Sequence, residues 1–105
     1  MAAAANQLIS PNTLETMATF PRIYADFNSV YGEGGSICWC LRYGSPLRTL
    51  DEFTDELELH DGMPVTLYYE DESEEFEVSA VLMETAAPPR WHARADWKTR
   101  RQIRG

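Results

Sequence analysis

The sequence predicts a mostly β, single small domain: about five antiparallel strands forming a curled sheet or a partly open small barrel, with one short helix between strands 2 and 3. Three observations support this prediction. The chain has 105 residues, which is the size of one ordinary domain. Five segments alternate apolar and polar residues with a period of two, as half-buried strands do. One segment between the second and third strands has helical spacing instead.

Each predicted strand is defined by the apolar side chains that share one face. In chain order these inward sets are Ile23, Ala25 and Phe27; Ile37, Trp39, Leu41 and Tyr43; Val65, Leu67 and Tyr69; Phe76, Val78, Ala80 and Leu82; and Trp91, Ala93, Ala95 and Trp97. Aromatic and branched side chains of this kind fill the interior of a small barrel. We therefore expect Trp91 and Trp97 in the core, and Tyr24 and Tyr68 on the outer face.

Glycine, proline and short polar residues mark the connections. The run Gly32–Gly35 can supply the positive φ angles that a hairpin loop requires. The polar turn Asp71–Ser73 predicts that strands 3 and 4 form a hairpin. Pro88 and Pro89 interrupt a hydrogen-bond ladder, so they separate strands 4 and 5.

The helix is predicted over residues 50–57. Thr49 and Glu52 have the spacing of a capping box, in which the two side chains satisfy exposed amide groups. Leu50, Phe53 and Leu57 then follow at intervals of three and four, which places them on one helical face.

The domain limits follow from these elements. We expect residues 1–20 to be a partly mobile N-terminal extension, residues 21–98 to be the β domain, and residues 99–105 to be a basic C-terminal tail that frays.

Charge is strongly segregated along the chain, whose formal net charge is −8. Residues 51–84 carry 13 acidic side chains and no lysine or arginine, whereas residues 90–105 carry six basic side chains and one acidic. The two zones can complement each other within the fold, with Glu75 and Glu77 across from Arg90 and Arg94. Alternatively, the tail reaches an anionic partner, although the net charge repels a phosphate backbone.

Compartment and membrane association follow from composition. The start of the chain lacks the basic residue and the apolar core of a secretory signal, and only two cysteines are present. We therefore expect a cytoplasmic protein with reduced thiols. No apolar run approaches eighteen residues, so no membrane partner is expected.

Three motifs carry a family resemblance. Tyr24–Asn28, the segment Leu59–Met63 leading into Val65–Asp71, and Trp91–Trp97 resemble small uncharacterised bacterial proteins. Those proteins have ADFN near the start, an L-x-x-G-M-x-V-x-L-Y strand and a closing W-x-A-x-x-D-W. The resemblance covers roughly residues 22–98. It implies a short, mostly β domain and supplies no activity and no catalytic residue.

Metal and catalytic chemistry are disfavoured by spacing. Cys38 and Cys40, with His60 and His92, have the ligand types of a zinc site. However, side chains at i and i+2 of a strand are about 6.5–7 Å apart, too far to converge easily on one ion. We therefore expect no metal and no cofactor.

A serine–histidine–aspartate relay drawn from Ser79, His92 and Asp96 lacks a strained nucleophile turn. The carboxylates of residues 70–77 are expected to be a solvated edge without paired acid–base function. The sequence therefore predicts that the protein is not an enzyme.

What remains is binding through exposed rings and charges. We predict a non-enzymatic protein-interaction module whose surface comprises Tyr24, Tyr68, Arg90, His92 and Arg94. The partner is another protein, or a second copy in a homodimer. The alternative is a small β-barrel that binds single-stranded nucleic acid by aromatic stacking and the basic tail.

Overall fold

A computed structural model describes residues 20–105 of the chain, so nearly all of the predicted extension over residues 1–20 lies outside the described residues. The strands are β1 (Arg22–Ala25), β2 (Val30–Tyr31), β3 (Ile37–Cys38), β4 (Leu41–Tyr43), β5 (Arg48–Thr49), β6 (Pro64–Glu70), β7 (Glu75–Glu84), β8 (Trp91–Ala95) and β9 (Arg101–Arg104). They form one unclosed, curled sheet, which confirms the predicted mostly β, single-domain fold class.

The sheet order is β2-β3-β8-β7-β6-β1-β4-β5, with β9 paired to β7. Strands β6 and β7 form the expected hairpin, and β7 and β8 are the expected neighbours. The prediction of about five strands, all antiparallel, needs correction, because the sheet has more strands and β1 lies parallel to β6. Parallel neighbours need a crossover of a dozen or more residues, which residues 26–63 supply.

The core lies on the inner face of the curled sheet. The predicted inward sets of β6, β7 and β8 are largely buried there, including Trp91 with 1% exposure. Trp97 was expected beside Trp91 but is 36% exposed. It lies in a short 3₁₀ helix after β8, where its ring packs on Phe27 at 5.2 Å. The strand pattern therefore ends at Ala95, and Trp97 follows a turn.

The predicted second strand is split into β3 and β4. Segment 37–43 joins the two ends of the curled sheet, because β3 pairs with β8 near one end and β4 pairs with β1 near the other. Cys38 and Leu41 are both buried although they are three positions apart, so one extra residue changes the alternation between them. A one-residue change sends side chains to the opposite face. Trp39 therefore lies on the outer face with 41% exposure, contrary to the prediction. Ile37, opposite Arg94 on that face, is nevertheless buried as expected, with 8% exposure.

The predicted helix over residues 50–57 is shorter than expected. A 3₁₀ helix spans Leu50–Phe53, and turns continue to Glu58. The Thr49 side chain makes no capping bond, so the predicted capping box is absent. The Asp51 carboxylate instead accepts hydrogen bonds from the backbone amides of Arg90 and Trp91, which fixes the start of β8.

The predicted basic tail of residues 99–105 is part of the sheet. Arg101–Arg104 form β9, which pairs with the first half of β7, while β8 pairs only with the second half. The register places Arg104 opposite Glu75 and Arg101 opposite Glu77. The tail arginines therefore take the positions expected for Arg90 and Arg94, and the acidic and basic zones meet within one chain.

Candidate functional site

The outer face of the sheet carries two distinct groups of side chains. The first, which we call the ionic cluster, consists of Arg22, Glu75, Glu77 and Arg101. Glu77 accepts from Arg22 Nε at 2.6 Å and from Arg101 Nη2 at 2.5 Å, while Arg22 Nη2 donates to Glu75 at 2.6 Å. The Arg22 guanidinium also lies 4.0 Å from the centroid of the Tyr68 ring. The charged groups are thus paired with one another.

Glu77 is the centre of the ionic cluster and is only 9% exposed. Burial raises the pKa of its carboxyl, but the hydrogen bonds from Arg22 and Arg101 outweigh burial and hold the pKa below the usual value. The carboxylate is therefore charged at neutral pH and engaged in structural contacts. The prediction that the carboxylates of residues 70–77 are exposed to solvent holds for much of this segment, but it is wrong for Glu77, which is buried.

The second group, which we call the aromatic patch, consists of Tyr31, Trp39, His92, Pro88 and Pro89. Tyr31 and Trp39 are 44% and 41% exposed. The Tyr31 hydroxyl is 2.7 Å from His92 Nδ1, and the two rings meet edge to face at 5.5 Å. The patch therefore offers ordered rings to solvent on the outer face, away from the core.

Two shallow depressions flank Trp39 and share it as a wall with Pro88 and Pro89. The first has a volume of about 480 Å³ and extends to His92. The second, of about 400 Å³, extends to Cys40 and Asp51. The Trp39 indole is thus a ridge between two concave, largely apolar surfaces.

Tyr24 and Tyr68 of the predicted surface lie at the ionic cluster. Their rings meet edge to face at 5.5 Å, and both side chains are half-buried on the outer face. Burial, with Asp26 nearby, raises the pKa of the Tyr24 phenol, so it stays neutral at physiological pH. The rings of Tyr24 and Tyr68 therefore cover the outer face of the sheet next to the paired charges of the ionic cluster.

The other three predicted residues belong to a different area. His92 is in the aromatic patch, and Arg94 is exposed on the same face, opposite Val81. The Arg90 guanidinium pairs with Glu84 at 2.6 Å. Because Tyr68 lies opposite Glu77 and His92 opposite Met83, the two areas are about 20 Å apart along β7. The structure therefore does not bring the five predicted residues into one surface.

Known proteins offer no guide to this site. No family model, no curated protein and no solved structure matches the chain. The resemblance to bacterial proteins with the ADFN motif therefore stays a prediction.

Within residues 20–105, no group of three or more histidine, cysteine, aspartate and glutamate side chains is arranged to hold a metal ion. Cys38 is fully buried, and burial raises the pKa of its thiol to about 11, so it is protonated at neutral pH. Cys40 is half-buried and lines the second depression. In the same part of the chain, no helix is long and apolar enough to cross a membrane.

Sequence reasoning missed Trp39 and Tyr31 as residues of the patch. An uninterrupted alternation from Ile37 to Tyr43 predicts Trp39 on the inner face. The odd spacing of Cys38 and Leu41 could have indicated the change, since cysteine is among the residues most often buried. Tyr31 lies beside the glycine loop, and its contact with His92 depends on the pairing of β2, β3 and β8.

Proposed function

We propose that this chain is a non-enzymatic protein-interaction module that binds another protein through the aromatic patch. One observation carries the proposal: Trp39 and Tyr31 present exposed rings beside His92 on a rigid sheet, next to two apolar depressions. Tryptophan and tyrosine in such positions dominate the binding energy of many protein interfaces. The free thiols Cys38 and Cys40 agree with a reducing, cytoplasmic location.

A different protein is a better partner than a second copy. The net charge of −8 makes two copies repel each other at long range. A partner with a positive surface would instead be attracted.

The alternative, single-stranded nucleic-acid binding, has less support. It depends on Arg94, Arg100, Arg101 and Arg104, and the last three each lie 3.7 Å or less from a glutamate carboxylate. Guanidinium groups engaged in this way are less free to contact phosphates.

The test compares two tryptophans of similar exposure. Trp39→Ala removes the ridge of the patch, whereas Trp97→Ala removes a ring that is 36% exposed and lines neither depression. Each variant and the parent chain are used to capture proteins from a cell lysate treated with nuclease. The captured protein is then purified and titrated calorimetrically.

We expect Trp39→Ala to weaken binding of the purified partner about tenfold or more, and Trp97→Ala to leave it within about twofold. Equal loss with both variants, or no loss with either, would contradict the proposed surface. Capture that disappears after nuclease treatment would favour the nucleic-acid alternative.

A further inference from the structure

The acidic residues next to the aromatic patch indicate what kind of protein segment it binds. We call residues 51–61 the acidic segment; its carboxylates are Asp51, Glu52, Asp55, Glu56, Glu58 and Asp61. It begins at the second depression, whose lining includes Asp51. Among the described residues, the only one of these carboxylates in an ion pair is Glu52, with Arg48 at 2.5 Å. Most of the negative charge of the acidic segment is therefore not neutralised by an ion pair among the described residues.

Basic side chains close by do not balance the acidic segment. Arg42 lines the second depression, and Arg48 is paired with Glu52. The six carboxylates of the acidic segment thus outnumber these two guanidinium groups, and Arg90 is engaged with Glu84. The lining of the second depression holds one basic and one acidic residue, Arg42 and Asp51, and the negative charge in excess lies in the adjoining acidic segment. A ligand that extends from the depression over this segment gains from positive side chains.

The shape of the patch favours an extended ligand with spaced apolar groups. The two depressions share Trp39, Pro88 and Pro89, so a chain lying across the indole can place one group on each side. A polyproline II helix presents side chains on one face every three residues, about 9 Å apart, and loses little entropy on binding. Grooves lined by aromatic rings recognise such helices.

We propose that the aromatic patch binds a basic, proline-rich segment of a partner protein in the polyproline II conformation. This proposal rests on the function proposed above. Prolines of the segment pack on either side of Trp39, and its arginines or lysines lie toward the acidic segment. Tyr31 and His92 extend the aromatic surface beyond the first depression.

Other occupants fit the same surface less well. A second copy would bring its own acidic segment against this one, which like-charge repulsion opposes. A strand added to the sheet edge at β2 would find only two residues to pair with, Val30 and Tyr31.

The experiment uses the full chain and three synthetic peptides. The first has Pro-x-x-Pro repeats flanked by arginines, the second has alanine in place of each proline, and the third has glutamate in place of each arginine. Calorimetry measures affinity, and amide NMR shifts show whether Trp39 and His92 are at the binding surface.

We expect the first peptide to bind at least about tenfold more tightly than either of the others. Trp39→Ala should abolish this preference, with Trp97→Ala as the matched control and a circular dichroism melt to verify folding. Glu56→Lys should weaken binding several-fold and raised salt should weaken it further, whereas Glu72→Lys, an exposed acid on the far turn, should not.

Two results would overturn the proposal. Equal binding of the alanine peptide would exclude polyproline recognition, and equal binding of the glutamate peptide would exclude the role of the acidic segment. In either case, Trp39-dependent capture of a partner would still support the interaction module, so the two proposals fail separately.

Discussion

At one end of the outer face, Glu77 is 9% exposed and holds the guanidinium groups of Arg22 and Arg101 at 2.6 and 2.5 Å. At the other end, Trp39 and Tyr31 are more than two-fifths exposed, and the Tyr31 ring packs edge to face on His92. The ionic cluster satisfies its own polar groups, whereas the aromatic patch leaves apolar surface in water. The ionic cluster stabilises the fold, whereas burial of the aromatic patch by a partner would remove apolar surface from water.

Cysteine reactivity tests whether the patch is open, and it is the largest effect that we expect. Cys38 is buried with a thiol pKa of about 11 instead of 9.0, so its thiolate fraction at neutral pH falls about a hundredfold. Cys40, which lines the second depression, should react with iodoacetamide far faster. Mass spectrometry of timed samples measures both rates. Equal labelling of the two thiols would show that the patch is not more open than the core.

Removing the central carboxylate tests the structural role of the ionic cluster. Glu77→Gln should lower the free energy of unfolding by about 1–3 kcal/mol, because two guanidinium groups lose a charged acceptor. Trp39→Ala, on the exposed patch, should cost much less. Urea unfolding of both variants at neutral pH measures the difference. A larger loss for Trp39→Ala would reverse the assignment of the two regions.

Acid should lower the free energy of unfolding, because it protonates Glu77 in the ionic cluster and Asp71 in the nearby turn. The folded-state pKa of Glu77 is below its usual 4.5, and that of Asp71, which accepts from the amides of Ser73 and Glu74, is about 2 instead of 3.8. Groups whose pKa is lowered by folding stabilise above the unfolded-state pKa, and this contribution is lost as pH falls through the folded-state pKa. Stability should therefore fall between about pH 5 and pH 2.

Urea midpoints measured across that range provide the check. The slope should be smaller in Glu77→Gln and in Asp71→Asn, since each removes one of the two groups. A parent chain whose stability did not change over this interval would contradict the lowered folded-state pKa values of Glu77 and Asp71.

The smallest effect is expected from the more exposed partner of Glu77. The Arg101 side chain is 72% exposed, so Arg101→Ala should cost only about 0.5–1 kcal/mol. Added salt should reduce that cost further, because solvent ions screen exposed pairs. Thermal melts at low and high salt measure it. A salt-independent loss above that of Glu77→Gln would contradict the ion-pair account and would indicate that the Arg101 side chain stabilises β9 by packing rather than by charge.

Much of the fold was predictable because its signals are local. The alternation in Val65–Tyr69 and in Phe76–Leu82, with the turn at 71–73, was enough to predict the hairpin of β6 and β7. The site was less predictable. Residue type and face predict His92 and Arg94 on the outer surface, but the pattern places Trp39 inward, because alternation alone does not reveal an extra residue in a strand.

The sequence by itself determined that the chain forms a mostly β domain with a Trp91-containing core, because burial of alternating apolar side chains leaves one face for the interior. The tertiary structure alone decided that β9 takes the free edge of β7 and that β1 lies parallel to β6. It also decided that segment 37–43 joins the two ends of the curled sheet with Trp39 outward. These are choices among long-range pairings of strands with similar local patterns. The pairing that forms is the one that buries the apolar core and, at the same time, gives the buried Glu77 carboxylate its hydrogen-bond donors.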